Sequence, residues 1–303
     1  MKAESCAQIS CLMATAGNPE SFPRLATWLR SFATASADPV VRSAARLIEK
    51  AASIKNVLPE PYTWLFHEQT TLDEAIRNSK TGSALNVTIW ENVGRNCEAF
   101  QTISAMKGLE LLKSAVHSLN IKEFVPAAVL ARSLLETAIH FADKTTFMLK
   151  NIRLLEFRHG TVTSSPEFEK EVTRTIFGTR LEEGEFKDLP RQHNIEGSIK
   201  RLAKSQHLEH KVLPNKYAFL CDITHPNVLG NARFWSHVEE IDQQGRKRVV
   251  VGHNTESEAT MLITENALWA LSWSAEMIFQ SFEDMNEAKL TLYTKLKQTG
   301  QLN

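Results

Sequence analysis

Two stretches decide the fold of this chain: VPAAVLARSLLETAIHFAD at residues 125–143 and YAFLCDITHPN at residues 217–227. The first is apolar on nearly every side, with Val129, Leu130, Leu134, Leu135, Ala138, Ile139 and Phe141 around its circumference, yet it carries Arg132, Glu136 and His140. At ~100° per residue, positions four apart lie within ~40° of one another, so these three share a stripe, with Asp143 near the same line. A helix that is apolar all round is a buried helix, so the charged stripe should face a bundle interior or a cleft. An unpaired arginine there is costly, and Glu136 at i+4 is its ready partner. The plainer reading of that pair is an ion pair that fixes helix packing and does nothing else.

The second stretch must stop at His225, because the residue before a proline is driven out of the α region. His225 then sits at the negative end of the helix dipole, a position that favours a protonated imidazole and suits proton transfer. Asn227, two residues on, can supply a directional amide. The plainer reading here is a helix stop followed by a turn, with the imidazole capping carbonyls.

Helical signals dominate on either side of these stretches. Residues 24–32 and 39–53 read as short amphipathic helices, the second entered through Asp38 as N-cap and Pro39 at the first helical position. VLPEPYTW (57–64) breaks the pattern with two prolines. Residues 1–83 form a helical N-terminal region, with TGS (81–83) as the joint, and 84–303 form the main domain. Within it, long helices are expected at 90–118 and 125–150, antiparallel because the connection is so short. A polar segment from 158 to 192 holds one short helix at 166–176, and IFGTR (176–180) within it is a loop or a mobile lid. Helices at 195–206 and 215–224 follow, separated by a break at Pro214. Residues 233–251 alternate as a β-hairpin with QQG as its turn, and the chain closes with helices at 257–282 and 285–297.

Bulk composition narrows the function classes. The 303 residues are 43% hydrophobic, enough for a core, and 35 basic residues balance 35 acidic ones, so no bulk attraction to nucleic acid or an anionic membrane is expected. Arg246, Lys247 and Arg248 form a local basic run on the hairpin, read as a solvated strand end with nucleic-acid contact as the alternative. Cys6, Cys11, Cys97 and Cys221 form no CxxC pair and no zinc-like array, which suits free thiols in a reducing compartment. MKAESCAQISCLMATAG lacks a signal-peptide core, and no stretch is read as approaching the ~18 apolar residues of a membrane span, so a cytoplasmic location is expected. A di-iron bundle needs paired Glu-x-x-His motifs, and the chain has no such pair. Phosphate-binding glycine loops and GxSxG turns are equally lacking. No metal or cofactor is expected.

Taken together, the RSLLE-type apolar helix and the segment NIEGSIKRLAKSQHLEHKVLPNKYAFLCDITHPN (194–227) resemble the bacterial helical-bundle proteins of the HEPN superfamily, over roughly residues 90–282. Several of those are uncharacterised, and others act as toxins or in phage defence. The resemblance implies an all-α antiparallel bundle and, in nuclease members, metal-independent RNA cleavage in which an arginine holds the scissile phosphate and a histidine moves the proton. Here the arginine would be Arg132. The family's motif places its histidine about four to six residues after the arginine, whereas His140 lies eight after Arg132, a rise of ~12 Å along a helix.

The expectation is therefore an all-α, HEPN-like antiparallel bundle with a small β-hairpin insertion and a helical N-terminal region. Its leading functional reading is an RNA-directed effector of toxin or defence type, with Arg132 binding phosphate, Glu136 orienting it and His225 handling the proton. Asn227, His140 and Tyr217 are the expected substrate contacts. The alternative is a non-catalytic helical interaction module or a subunit of a defence complex, with a protein partner or a second copy of the chain.

Overall fold

The computed structural model describes residues 22–65, 69–158, 161–181, 183, 189–205, 211–225, 227–240, 245, 247–252 and 257–298. Expectations about Cys6, Cys11, the N-terminal stretch, Gln243, Gln244 and Arg246 lie outside these residues. Within them the chain is an all-α helical bundle with one two-stranded hairpin.

The helices, in chain order, are α1 (Thr27–Ala35), α2 (Pro39–Arg42), α3 (Ala44–Ala52), α4 (Gln69–Asn78), α5 (Gly82–Asn120), α6 (Phe124–Leu154), α7 (Pro166–Phe177), α8 (Ile195–Ser205), α9 (Val212–Thr224) and α10 (Val228–Ala232). The antiparallel strands β1 (Trp235–Glu240) and β2 (Lys247–Val251) follow, and α11 (Glu258–Gln298) closes the described chain. Asp38 caps α2 as expected, its Oδ1 accepting the Val40 amide at 2.8 Å, with Pro39 at the first helical position.

Helix α6 is the axis of the bundle. Leu134, Leu135, Ala138, Ile139 and Phe141 are all fully buried, and α5, α8, α9 and α11 each pack against a different side. Among the described helices it is the one long and apolar enough to cross a membrane, contrary to the reading that no stretch approaches that length. In the bundle that apolar surface is covered by neighbouring helices instead.

Helices α5 and α6 run antiparallel. Only Ile121–Glu123 separate them, Phe100 meets Phe141 edge-on at 5.4 Å, and the first turns of α5 reach the chain beyond the end of α6. There Asn86 exchanges two hydrogen bonds with the backbone of Thr161 and Thr163, and the Trp90 indole donates to the Thr163 carbonyl.

Three helix boundaries differ from the sequence reading. The long helix expected from residue 90 begins at Gly82, with the Thr81 hydroxyl accepting the Ala84 amide at 3.1 Å. Pro214 does not break the chain but lies in the first turn of α9, where a missing amide has no intrahelical partner to lose. The two closing helices are one, because Glu283 and Asp284 interrupt the apolar pattern but contain neither proline nor glycine to end it.

At 41 residues α11 is about 60 Å long, enough to serve both ends of the molecule. Near its start it packs on α2 and α3, further on it crosses α6 and α5, and near its end Lys295 donates to the carbonyls of Ile152, Arg153 and Leu155. Those carbonyls belong to the last turn and the C-cap of α6, so one ammonium both helps cap that helix and fastens α11 to it.

Because Leu135 is fully buried in the middle of α6, truncating it to alanine should lower unfolding free energy by about 2–5 kcal/mol. The same truncation at Val129, 40% exposed on that helix, should cost less than about 1 kcal/mol. Urea unfolding monitored at the helical circular-dichroism band compares the two, and equal losses would mean that α6 is not the central helix.

Candidate functional site

Helix α6 presents its polar side chains to three different neighbours, so the expected single stripe divides. At its N-terminal end Arg132 turns towards α9. Its Nη2 lies 3.2 Å from Glu136 Oε1, its Nη1 donates to Thr224 Oγ1 at 3.1 Å, and Nε is buried with no hydrogen-bond partner among the described residues. The Tyr217 hydroxyl donates to the same Glu136 Oε1 at 2.9 Å, and the guanidinium stands 5.8 Å from the Tyr217 ring centre. Burial works against the Arg132 charge, but Tyr217, Cys221 and Glu136 more than offset it and hold the guanidinium above its ordinary range. Burial, with Glu136 accepting its proton, pushes the Tyr217 phenol up to about 12, so it remains a donor.

His225 does not join this group. It terminates α9 with an extended backbone, its side chain is exposed, and its imidazole makes no hydrogen bond among the described residues. The hydroxyl that reaches Arg132 belongs to its neighbour, Thr224. Asn227 spends its amide on Asp222 Oδ1 at 2.9 Å, a local tie around the end of α9. The fold thus brings Arg132, Glu136 and Tyr217 together, and leaves His225 and Asn227 apart from them.

One turn further on, the second neighbour is a cleft of about 380 Å³ between α5, α6, the end of α7 and residues 178–180 and 191–195. Glu136 and His140 line it from α6, Lys107 from α5, and Arg180, Gln192 and His193 from the far wall. The two arms of that wall are held together by a short parallel bridge, with Thr179 N donating to Pro190 O at 3.0 Å and Gln192 N to Thr179 O at 2.9 Å. Gly178 permits this closure, because a Cβ there would stand 2.4 Å from the Arg174 carbonyl oxygen and 2.3 Å from Gln192 Oε1. IFGTR, read as a loop or lid, is part of this wall.

His140 packs edge-on against Phe100 at 6.0 Å, and Gln192 Nε2 lies 3.5 Å from its Nε2. Burial, helped by Lys144 and Lys107, pushes the imidazole down to about 4, so the ring is neutral near pH 7.

The third neighbour receives Asp143 and Lys144, both less than a tenth exposed. Arg201 grips Asp143 with two bonds of 2.8 and 2.7 Å, and Ser198 adds a third at 2.9 Å. Lys144 donates to Glu171, whose other oxygen accepts from Arg174 at 2.7 Å and lies 3.3 Å from His193 Nε2. Burial pushes both carboxyls upward, but the Arg201 and Ser198 bonds on Asp143, and Lys144 and His193 on Glu171, outweigh it and hold both below the ordinary range. Breaking such a buried set by Glu171→Ala leaves Lys144 only Asp143, 3.8 Å away, and should cost about 3–5 kcal/mol, against less than about 1 kcal/mol for Arg153→Ala in the exposed pair with Glu287. Paired denaturation curves measure that difference.

Sequence reasoning missed Lys107, Gln192, His193 and the ion network. A lysine beside an aspartate inside an apolar helix was the available signal for the network. Nothing local marked the cleft, whose walls lie some 30 to 90 residues apart in the chain. Among the described residues no group of three His, Cys, Asp or Glu side chains is placed to hold a metal ion. Comparison with protein-family models, with curated proteins and with solved structures finds no match to this chain.

The state of His140 links stability to pH. Unfolded, its imidazole titrates near 6.5; folded, near 4, so between these values the unfolded chain binds the proton that the folded chain refuses. This contribution is fully present above pH 6.5 and is lost as pH falls towards 4, by up to about 3 kcal/mol. His140→Gln should flatten that part of the curve. Parallel wild-type and variant profiles between pH 7 and 4 would show that the buried imidazole is not its source.

Proposed function

We propose that this protein is a cytoplasmic HEPN-like helical module that works by holding a partner, as a subunit of an assembly of defence type, and not by cutting RNA. The observation that carries this reading is the occupation of Arg132. Its guanidinium is shared among Glu136, Thr224 and the face of Tyr217, while the histidine that would move the proton is exposed and directed to none of them. An arginine held this way pins α6 to α9, and a phosphate would have to displace those bonds to reach it.

The partner surface that fits this role is at the hairpin end of the bundle. Val228 on α10, Trp235 on β1, Val249 to Val251 on β2, and Met261 and Leu262 on α11 are all exposed there, each between 39% and 69%. Isolated exposed apolar residues are ordinary, whereas seven on four elements consecutive in the described chain suggest a contact surface. The hairpin has two strands, so each presents an unpaired edge, and a second copy of the chain could add its own β2 across a two-fold axis. On this reading Val250→Glu converts a dimer to a monomer in sedimentation equilibrium. A wild-type protein that is monomeric at tens of micromolar would remove the homodimer.

The second reading, an RNA-directed effector, is favoured by the partial exposure of Arg132 and by its partner Glu136 reaching the cleft. Ribonuclease assays decide between them. On the module reading, wild-type protein leaves a labelled RNA intact and Arg132→Ala loses stability by about 1–3 kcal/mol through its missing bonds. Cleavage by the wild type that disappears in an equally helical Arg132→Ala variant would reverse the conclusion.

A further inference from the structure

One nitrogen atom on the far wall of the cleft stands between two groups that make opposite demands on it. His193 Nε2 lies 2.9 Å from Arg174 Nη1 and 3.3 Å from Glu171 Oε2. A guanidinium nitrogen can only donate, and an ionised carboxylate oxygen can only accept. With Nε2 unprotonated, its lone pair accepts from Arg174, the nearer of the two. Arg174 Nη1 also lies 2.7 Å from Glu171 Oε2, so the three side chains close a triangle. A proton on Nε2 removes that lone pair and turns an N–H towards a guanidinium of like charge, and the triangle no longer closes.

The surrounding charges decide where a protonated ring goes. From α7 it faces Glu171 and Arg174. It also borders two cavities, into which α6 sends His140, Asp143, Lys144 and Lys150, α8 sends Arg201, and α5 sends Lys107, with Arg180 on the wall itself. Cations predominate in this set, and both carboxylates are already engaged, Glu171 by Lys144 and Arg174, and Asp143 by Arg201 and Ser198. A further positive charge is therefore repelled from the wall, and the half-exposed ring has water to turn to.

Release of this ring bears on the wall because of its neighbours in the chain. Gln192 N donates to Thr179 O at 2.9 Å, and Gln192 Nε2 lies 3.5 Å from His140 Nε2. On the other side Asn194 Oδ1 accepts the Glu196 amide at 3.3 Å, at the start of α8. The Arg174–His193 bond ties the stretch between these two anchors to α7.

We propose that His193 is a pH-operated latch: unprotonated at Nε2 it fastens residues 191–195 to Arg174, and protonation frees that arm and loosens the wall of the cleft. The latch rests on neither reading of overall function.

Nitrogen NMR of the histidine rings and amide hydrogen exchange test it. At about pH 7.5 the His193 ring should carry its proton on Nδ1 alone. Protection of the Thr179 and Gln192 amides, corrected for the intrinsic effect of pH on exchange, should fall ~10-fold or more between about pH 7.5 and 5.5. His140, pushed down to about 4 by its burial with Lys144 and Lys107 helping, takes up its proton well below that interval. His193→Gln, whose amide oxygen can accept from Arg174 without titrating, should stay protected at both pH values. His193→Lys, charged throughout, should show the loss already at the higher one. The position is half-exposed, so both variants should fold, which the helical circular-dichroism signal verifies. The latch is overturned if the neutral ring carries its proton on Nε2, or if wild-type protection does not change with pH. It is equally overturned if His193→Gln loses protection as the wild type does, or if His193→Lys remains protected. The first two outcomes are read on the wild type and stand even where a variant misfolds.

Discussion

A helix packed against four others along its length must set most of its polar groups against one of them. That constraint organises this molecule. Helix α6 carries Arg132, Glu136, His140, Asp143 and Lys144 through an interior of leucine, alanine and phenylalanine, and these polar groups find their partners on several neighbours. Arg132 and Glu136 are met by α9, Asp143 by α8, Lys144 by α7, and His140 by α5 and Gln192. The contacts that satisfy these groups also fix the rotation of each helix about α6. Leaving one partner out would strand a charge in a low-dielectric interior, a larger loss than any single surface pair could make good.

The sequence announces the helices far better than it announces the site, and the residues show why. Asp38-Pro39, Pro166 and the apolar run around Leu134 act locally, so helix starts and the buried character of α6 can be read without tertiary knowledge. Errors fall where local signals compete with packing. Glu283 and Asp284 look like an interruption, yet α11 runs through them because the residues on either side, Phe282 and Met285, are buried against the bundle. Pro214 looks like a break, yet the first turn of a helix tolerates it.

The site was legible only where it lies within one helix. An i,i+4 spacing correctly joins Arg132 to Glu136 and suggests that His140 shares their surroundings. It cannot reveal that 1.5 Å of rise per residue carries His140 past α9 and opposite α5. His225 draws attention through its proline, but the direction of an exposed side chain at a helix end is set by the turn after it. Lys107 and His193 come together across the cleft through the α5–α6 pairing and the Thr179–Arg191 bridge, both long-range facts of the fold.

The length of α11 has a consequence for how the chain assembles. Lys50 pairs with Glu276 and Ser36 with Glu265, bonds that close loops of more than two hundred residues, so α1 to α3 complete their burial against a helix made long after them. Helices α5 and α6, joined by three residues, can zip together early, but one side of α6 and the apolar faces of the first helices stay open until α11 emerges from the ribosome. Contacts so distant in sequence form slowly. The growing chain therefore passes through a sticky, half-roofed stage during synthesis, and a general chaperone has its natural opportunity there.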